Sequence, residues 1–147
     1  MPSYKREIII HTTPELLFDY VTEQSNLPAW SPQVVRSEVE GGGPLKIGSM
    51  LIQTRKQGNR VMTSRAEVIK HDRPALHAVT TGMLGVVATF SFAFENHAGA
   101  TRGTKISMTG EVKGKGLGVF VAPLLKMAME KGDDKVLENL KRVIECK

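Results

Sequence analysis

Moving a proton requires a titratable side chain held away from bulk water, and this chain of 147 residues offers few. Its histidines are His11, His71, His77 and His97. His11, His71 and His97 fall at the ends of strand-like runs or in turns, where imidazoles commonly meet solvent. His77 alternates with Leu76 and Ala78 and therefore faces the side opposite to them. Arg65 and Glu67 share a side of another alternating run, whose other side holds Met62, Ser64, Ala66 and Val68, and they read as an exposed pair. The histidines lack a His-x-x-x-His spacing, and Cys146 is the only cysteine, so neither a metal centre nor an internal disulfide is expected. Gly41-Gly42-Gly43-Pro44 lies between strand-like runs instead of opening a helix, so it does not form the usual phosphate cradle. No cofactor and no catalytic set follow from these residues.

The residues suited to binding are apolar, and the pattern around them says what positions them. Residues 4–11 alternate, with Tyr4, Arg6, Ile8 and Ile10 on one side, and form a first strand. Thr12-Thr13-Pro14-Glu15 supplies a threonine cap, a proline for the first turn and a carboxylate near the positive helix end, so a short helix follows through Leu16, Leu17, Tyr20 and Val21. Leu27-Pro28-Ala29-Trp30-Ser31-Pro32 is bracketed by prolines and reads as a second short helical turn carrying the only tryptophan. Six further strands are expected at 35–40, 49–56, 61–71, 76–81, 86–95 and 101–112. Most are joined by hairpin signals such as Gly58-Asn59 and Ala98-Gly99. Ala88, Phe90, Phe92 and Phe94 share one side of the sixth strand, and Ile106 and Met108 one side of the seventh. A sheet dry on one face must bury it, and the element left to cover it is 116–145. Residues 117–129 are apolar nearly all round, while Val136, Leu140, Val143 and Ile144 form a narrow stripe. Gly132 and Asp133-Asp134 mark a weak point between the halves, suited to a kink or a fresh helix start.

The order strand, two short helices, six-strand meander and long C-terminal helix resembles the START-like, or SRPBCC, superfamily, most closely its polyketide cyclase/dehydrase-type branch. The resemblance is carried by Thr13-Pro-Glu-Leu-Leu-Phe-Asp-Tyr-Val, Asn26-Leu-Pro-Ala-Trp-Ser-Pro, Lys46-Ile-Gly-Ser-Met, Arg65-Ala-Glu-Val-Ile-Lys-His-Asp-Arg-Pro and Leu140-Lys-Arg-Val-Ile-Glu, which together span nearly the whole chain. It implies an α+β helix-grip fold, a single domain over 1–147 in which a seven-stranded curved antiparallel sheet wraps a long C-terminal helix. It also implies a cavity between sheet and helix that takes lipids, sterols or polyketide-like molecules. The acid/base set of the aromatase/cyclases cannot be laid onto this chain.

If the dry face lines that cavity, the ligand meets Phe90, Phe92, Ile106 and Met108, with Met62, Ser64 and Ala66 from the fourth strand and Leu124, Met127 and Ala128 from the helix. Each of these side chains could instead simply fill the core. Trp30 either gates the mouth or packs the short helices onto the sheet, and Tyr20 either turns its hydroxyl inward or packs half-buried. The formal charge of +5 comes from cations dispersed in ones and twos, so nucleic-acid binding is not expected. The lysine-flanked apolar start of the last helix, 117–129, suits burial under the sheet, transient contact with a membrane, or a homodimer face. A signal peptide and a membrane span are not expected, and a cytoplasmic location is. Three functions are therefore expected in turn: carriage of a small hydrophobic molecule, cyclisation or dehydration of a polyketide-like chain in the same cavity, and binding of a partner through the apolar helix face.

Overall fold

Strand β1, Ser3–Ile10, is followed by helix α1, Pro14–Thr22, whose start is set by Thr13: its hydroxyl accepts a hydrogen bond from the Leu16 N–H at 3.2 Å. A 3-10 turn, Gln24–Asn26, leads into the single-turn helix α2, Leu27–Trp30. Strands β2 (Val34–Val39), β3 (Met50–Gln57), β4 (Arg60–Asp72), β5 (Leu76–Met83), β6 (Val86–Ala98) and β7 (Arg102–Gly114) come next. Helices α3, Gly118–Gly132, and α4, Val136–Glu145, close the chain. The computed structural model describes residues 3–83, 85–98, 102–114, 116, 118–132 and 135–146. Gly99 of the last hairpin signal, Leu117 and the Asp133-Asp134 pair lie outside them. No described helix is long and apolar enough to cross a membrane.

All seven strands form one antiparallel sheet in the order β1-β7-β6-β5-β4-β3-β2. The chain's first two strands therefore occupy opposite edges, and the helices between them must bridge those edges. Strong curvature makes this possible: register shifts in β2 at Val34/Arg36 and in β4 at Val68/Lys70 bend the sheet. As a result α2 touches both β2 and α4, while α4 lies on β1.

Directly opposed residues in antiparallel strands share a face, so the register defines the concave surface. One row runs Arg6, Met108, Phe92, His77, His71 across β1, β7, β6, β5 and β4. Its neighbour runs Tyr4, Gly110, Phe90, Val79, Val68. Toward β2 the same face continues through Ala66, Leu51 and Val39, and through Ser64, Gln53 and Ser37. The main core joins this face to the helices, with Ile10, Ile106, Met108 and Phe94 below Leu17, Phe18, Trp30, Leu137 and Leu140. Gly110 is required by this packing, because a Cβ there would overlap the ring of Tyr4.

The long C-terminal helical segment comprises α3 and α4, to either side of the weak point at 132–134 where the sequence suits a kink or a fresh helix start. The halves have different partners. Helix α3 crosses β7 with Ala122 against Val86 and Val112. Its first residue, Gly118, is pressed so closely onto the Gly85 carbonyl of the β5–β6 turn that a Cβ there would overlap it. Helix α4 buries Val136, Leu137 and Leu140, and is tied to β1 where Lys141 Nζ donates to the Ile9 carbonyl at 2.8 Å and the His11 N–H to Glu145 at 3.0 Å.

Candidate ligand-binding site

The central row of the concave face has a cation at one end, two imidazoles at the other and apolar side chains between. Trp30, sealed from solvent, stands over the middle of it, its ring 6.0 Å from that of Phe92 at 84°. Its Nε1 is buried without an acceptor among the described residues, so the indole can donate a hydrogen bond to a ligand oxygen reaching it. Arg6 enters from β1 and donates through Nη2 to the Glu130 carbonyl of α3 at 3.3 Å.

At the far end His71 and His77 place their Nδ1 atoms 3.2 Å apart, within hydrogen-bond distance. Phe18 of α1 covers both rings, with centroids at 5.2 and 6.3 Å. His77 is 4% exposed, and burial pushes its imidazole down to about 4, with the neighbouring His71 adding to the effect. Burial lowers His71 as well, opposed by the carboxylate of Asp19. That carboxylate is forked by Arg73, whose Nε and Nη2 donate at 2.8 and 2.9 Å, and the fork holds it below the usual aspartate range. Burial raises the Tyr20 phenol.

Of the residues expected to line a cavity, Trp30, Ala66, Ile106 and Met108 are buried, and Tyr20, Ser64, Phe90 and Phe92 are partly buried. Trp30, Ile106 and Met108 share one cluster, with Tyr20 and Phe92 packed against it; Ala66 belongs to a second, with Leu51 and Val68. The remaining four are not brought to this site. Met62 is 53% exposed near the tip of the β3–β4 hairpin, and Leu124 and Met127, 68% and 64% exposed, stand with Ala128 on the face of α3 turned to solvent. The reason is helical phase: at 100° per residue, Leu124 and Met127 point away from the side on which Ala122 and Met129 meet the sheet.

Sequence reasoning left His71 at a solvent-facing turn and passed over Arg6 and Val79. The alternation of Tyr4, Arg6 and Ile8 already put Arg6 on the dry face. His71 and His77 are equidistant from Pro74, so a hairpin centred there opposes them; that symmetry was the available signal. Arg65 is exposed as expected, but its carboxylate partner is Glu40 on the β2–β3 side. Among the described residues, no three of His, Cys, Asp and Glu gather into a metal-binding group.

Two open depressions lie elsewhere. One, of about 600 Å³, runs between the 3-10 turn and Gly41-Gly42-Gly43, over a buried hydrogen bond from Ser37 Oγ to Gln24 Oε1 at 2.6 Å. The other, of about 820 Å³, is bordered by Thr13, Pro74 and His97.

A curved seven-stranded sheet holding helices in its concavity is the helix-grip architecture. The chain belongs to the polyketide cyclase / dehydrase and lipid transport family, whose model matches residues 1–145. Among solved structures, a protein of unknown function from Staphylococcus aureus is similar at 18% identity, over 98% of this chain and 93% of that one, with a TM-score of 0.74. The di-domain ARO/CYC StfQ from the steffimycin biosynthetic pathway superposes with a TM-score of 0.75 at 12% identity, over 98% of this chain and 51% of that one. Ara h 8.0201 does so at 0.70 and 13% identity, over 99% and 98% of the two chains. Comparison with curated proteins returns no match.

Proposed function

We propose that this protein binds and carries a small apolar molecule with a polar end, lodged on the concave face between the sheet and α3. The observation that carries this reading is the state of Phe90 and Phe92. They stand inside the sheet on its dry face, yet remain partly exposed while their neighbours Ile106 and Met108 are sealed. Aromatic rings left accessible on a concave wall, beside the small side chains Ser64 and Ala66, suit an apolar ligand, with affinity of roughly 25 cal/mol per Å² of apolar surface covered. Arg6 and the Trp30 indole N–H are the groups that would orient its polar end.

Trp30 reports on this directly, being the only tryptophan and in contact with Phe92. Titration with long-chain fatty acids, sterols and aromatic polyketides should give a saturable change in its emission for at least one class. Ser64→Phe, which extends a ring over the floor from a partly exposed position, should abolish that change while leaving the thermal midpoint near wild type. Emission unmoved across the whole panel would sink the carrier reading.

A second reading, cyclisation or dehydration of a bound polyketide-like chain, is favoured by the imidazole pair on the same face. A neutral buried histidine can accept a proton and pass it to its neighbour. Turnover of an aromatic polyketide precursor should then be lost in His71→Ala with binding retained; turnover unaffected by the substitution would remove the pair from any chemistry.

A further inference from the structure

The geometry points to a membrane-docking surface at one end of the sheet, fitted to a bilayer with anionic headgroups. The strand register brings three connections to this end. The β3–β4 hairpin lies there, because β4 runs past its pairing with β5 toward Arg60. The β5–β6 turn opens toward the same end of the sheet, and Val86 and Val87 pair with Gly114 and Lys113, which brings the end of β7 beside that turn. Helix α3 starts there too, with Gly118 against Gly85.

Large apolar side chains that the core does not use collect here. Val61 and Met62 project from the hairpin, Val87 from β6, and Phe120, Leu124 and Met127 line the solvent face of α3, with Phe120 77% exposed. At 100° per residue, Lys131 continues the stripe of Phe120, Leu124 and Met127. The charge around the surface is mostly positive. Among the described residues, segments 54–64, 82–90 and 110–114 contain Arg55, Lys56, Arg60 and Lys113 against the carboxylate Glu111, and on α3 Lys131 stands beside the Lys126–Glu130 ion pair. Glu111 alternates with Gly110 and Val112 of the concave face, as Lys113 does, so it shares the convex face with Val87 and Lys113 and offsets one cation of that part of the rim.

Exposed apolar groups ringed by cations are what an anionic bilayer complements: the side chains enter the acyl boundary while the lysines and arginines reach phosphate. A second copy of this chain does not complement it, because two-fold pairing would set one cation-rich rim against another. The docking needs no bound ligand, so it stands apart from the carrier reading.

Flotation with vesicles tests it. Ligand-free protein should partition onto phosphatidylcholine vesicles containing about one-third phosphatidylglycerol at least tenfold more strongly than onto phosphatidylcholine alone, and added salt should weaken that binding. Phe120→Ser, and separately the pair Arg60→Glu and Lys113→Glu, should each reduce partition about tenfold. All three side chains are exposed, so the melting temperature and the Trp30 response to ligand should persist. Equal partition onto the two vesicle types, or variants that bind like wild type, would overturn the proposal. So would a dimer formed without lipid and dissolved by Phe120→Ser, which would assign the surface to a second copy.

Discussion

Replacing Phe18 with alanine is expected to destabilise the fold by about 3–5 kcal/mol, the usual cost of emptying a sealed aromatic site. Phe18 is 1% exposed and joins α1 to the sheet through three rings: Phe94 at 5.3 Å and 67°, His71 at 5.2 Å and His77 at 6.3 Å. Edge-on and tilted packing of this kind adds to the area term. The exposed Asp19–Arg73 fork beside it compensates little, since solvent-facing ion pairs contribute weakly. Urea midpoints of wild type and Phe18→Ala measure the cost. A loss below about 1 kcal/mol would mean that α1 does not rest on this core.

Stability is expected to fall on mild acidification, and His77 is the cause. Its imidazole titrates near 6.5 when unfolded and at about 4 when folded. Above pH 6.5 it is neutral in both states and the fold has its full stability. As pH falls from 6.5 toward 4, the unfolded chain takes up a proton that the folded chain refuses, and stability drops by about 1.4 kcal/mol per pH unit, about 3 kcal/mol in all. His71 shifts in the same direction by burial, moderated by Asp19, so the two rings titrate as a coupled pair. Carboxylates held low by cations, among them Asp19, Glu130 and Glu145, lose their contribution only at lower pH, below the ordinary carboxylate range. Denaturant midpoints measured from pH 7 to 4.5 should therefore slope in wild type and flatten in His77→Phe, which keeps a ring against Phe18. A flat wild-type profile, or a slope surviving the substitution, would dispose of this assignment. Phe18→Ala should also shallow the slope, because it lets water reach the imidazoles; the two substitutions are therefore not additive.

If vesicle docking and Trp30 quenching are both observed, they fit one cycle, in which the protein collects an apolar molecule at the bilayer and releases it elsewhere. Each measurement stands without the other, since the docking surface and the concave floor use different residues.

Much of the frame was legible in the amino-acid order. Alternation along each strand, the Thr13 cap with Pro14, and the hairpin signals place all seven strands and the first helix within a few residues of their observed limits, because these are local preferences of backbone and side chain. Alternation also picks out the dry face of β6 and β7, since Thr89, Ser91, Lys105 and Ser107 mark the other side. Composition also marked the point at which α3 and α4 divide the C-terminal segment. What the order of residues does not contain is phase where polarity is uniform: residues 117–129 are apolar on nearly every side, so nothing local says which side meets the sheet. The fold decides it by pressing Gly118 onto Gly85 and Ala122 onto Val86 and Val112, which turns Leu124 and Met127 outward. The imidazole pair has the same origin. Histidines six residues apart become neighbours only when the Asp72–Ala75 turn folds β5 back on β4, and they become buried only when α1 lowers Phe18 over them.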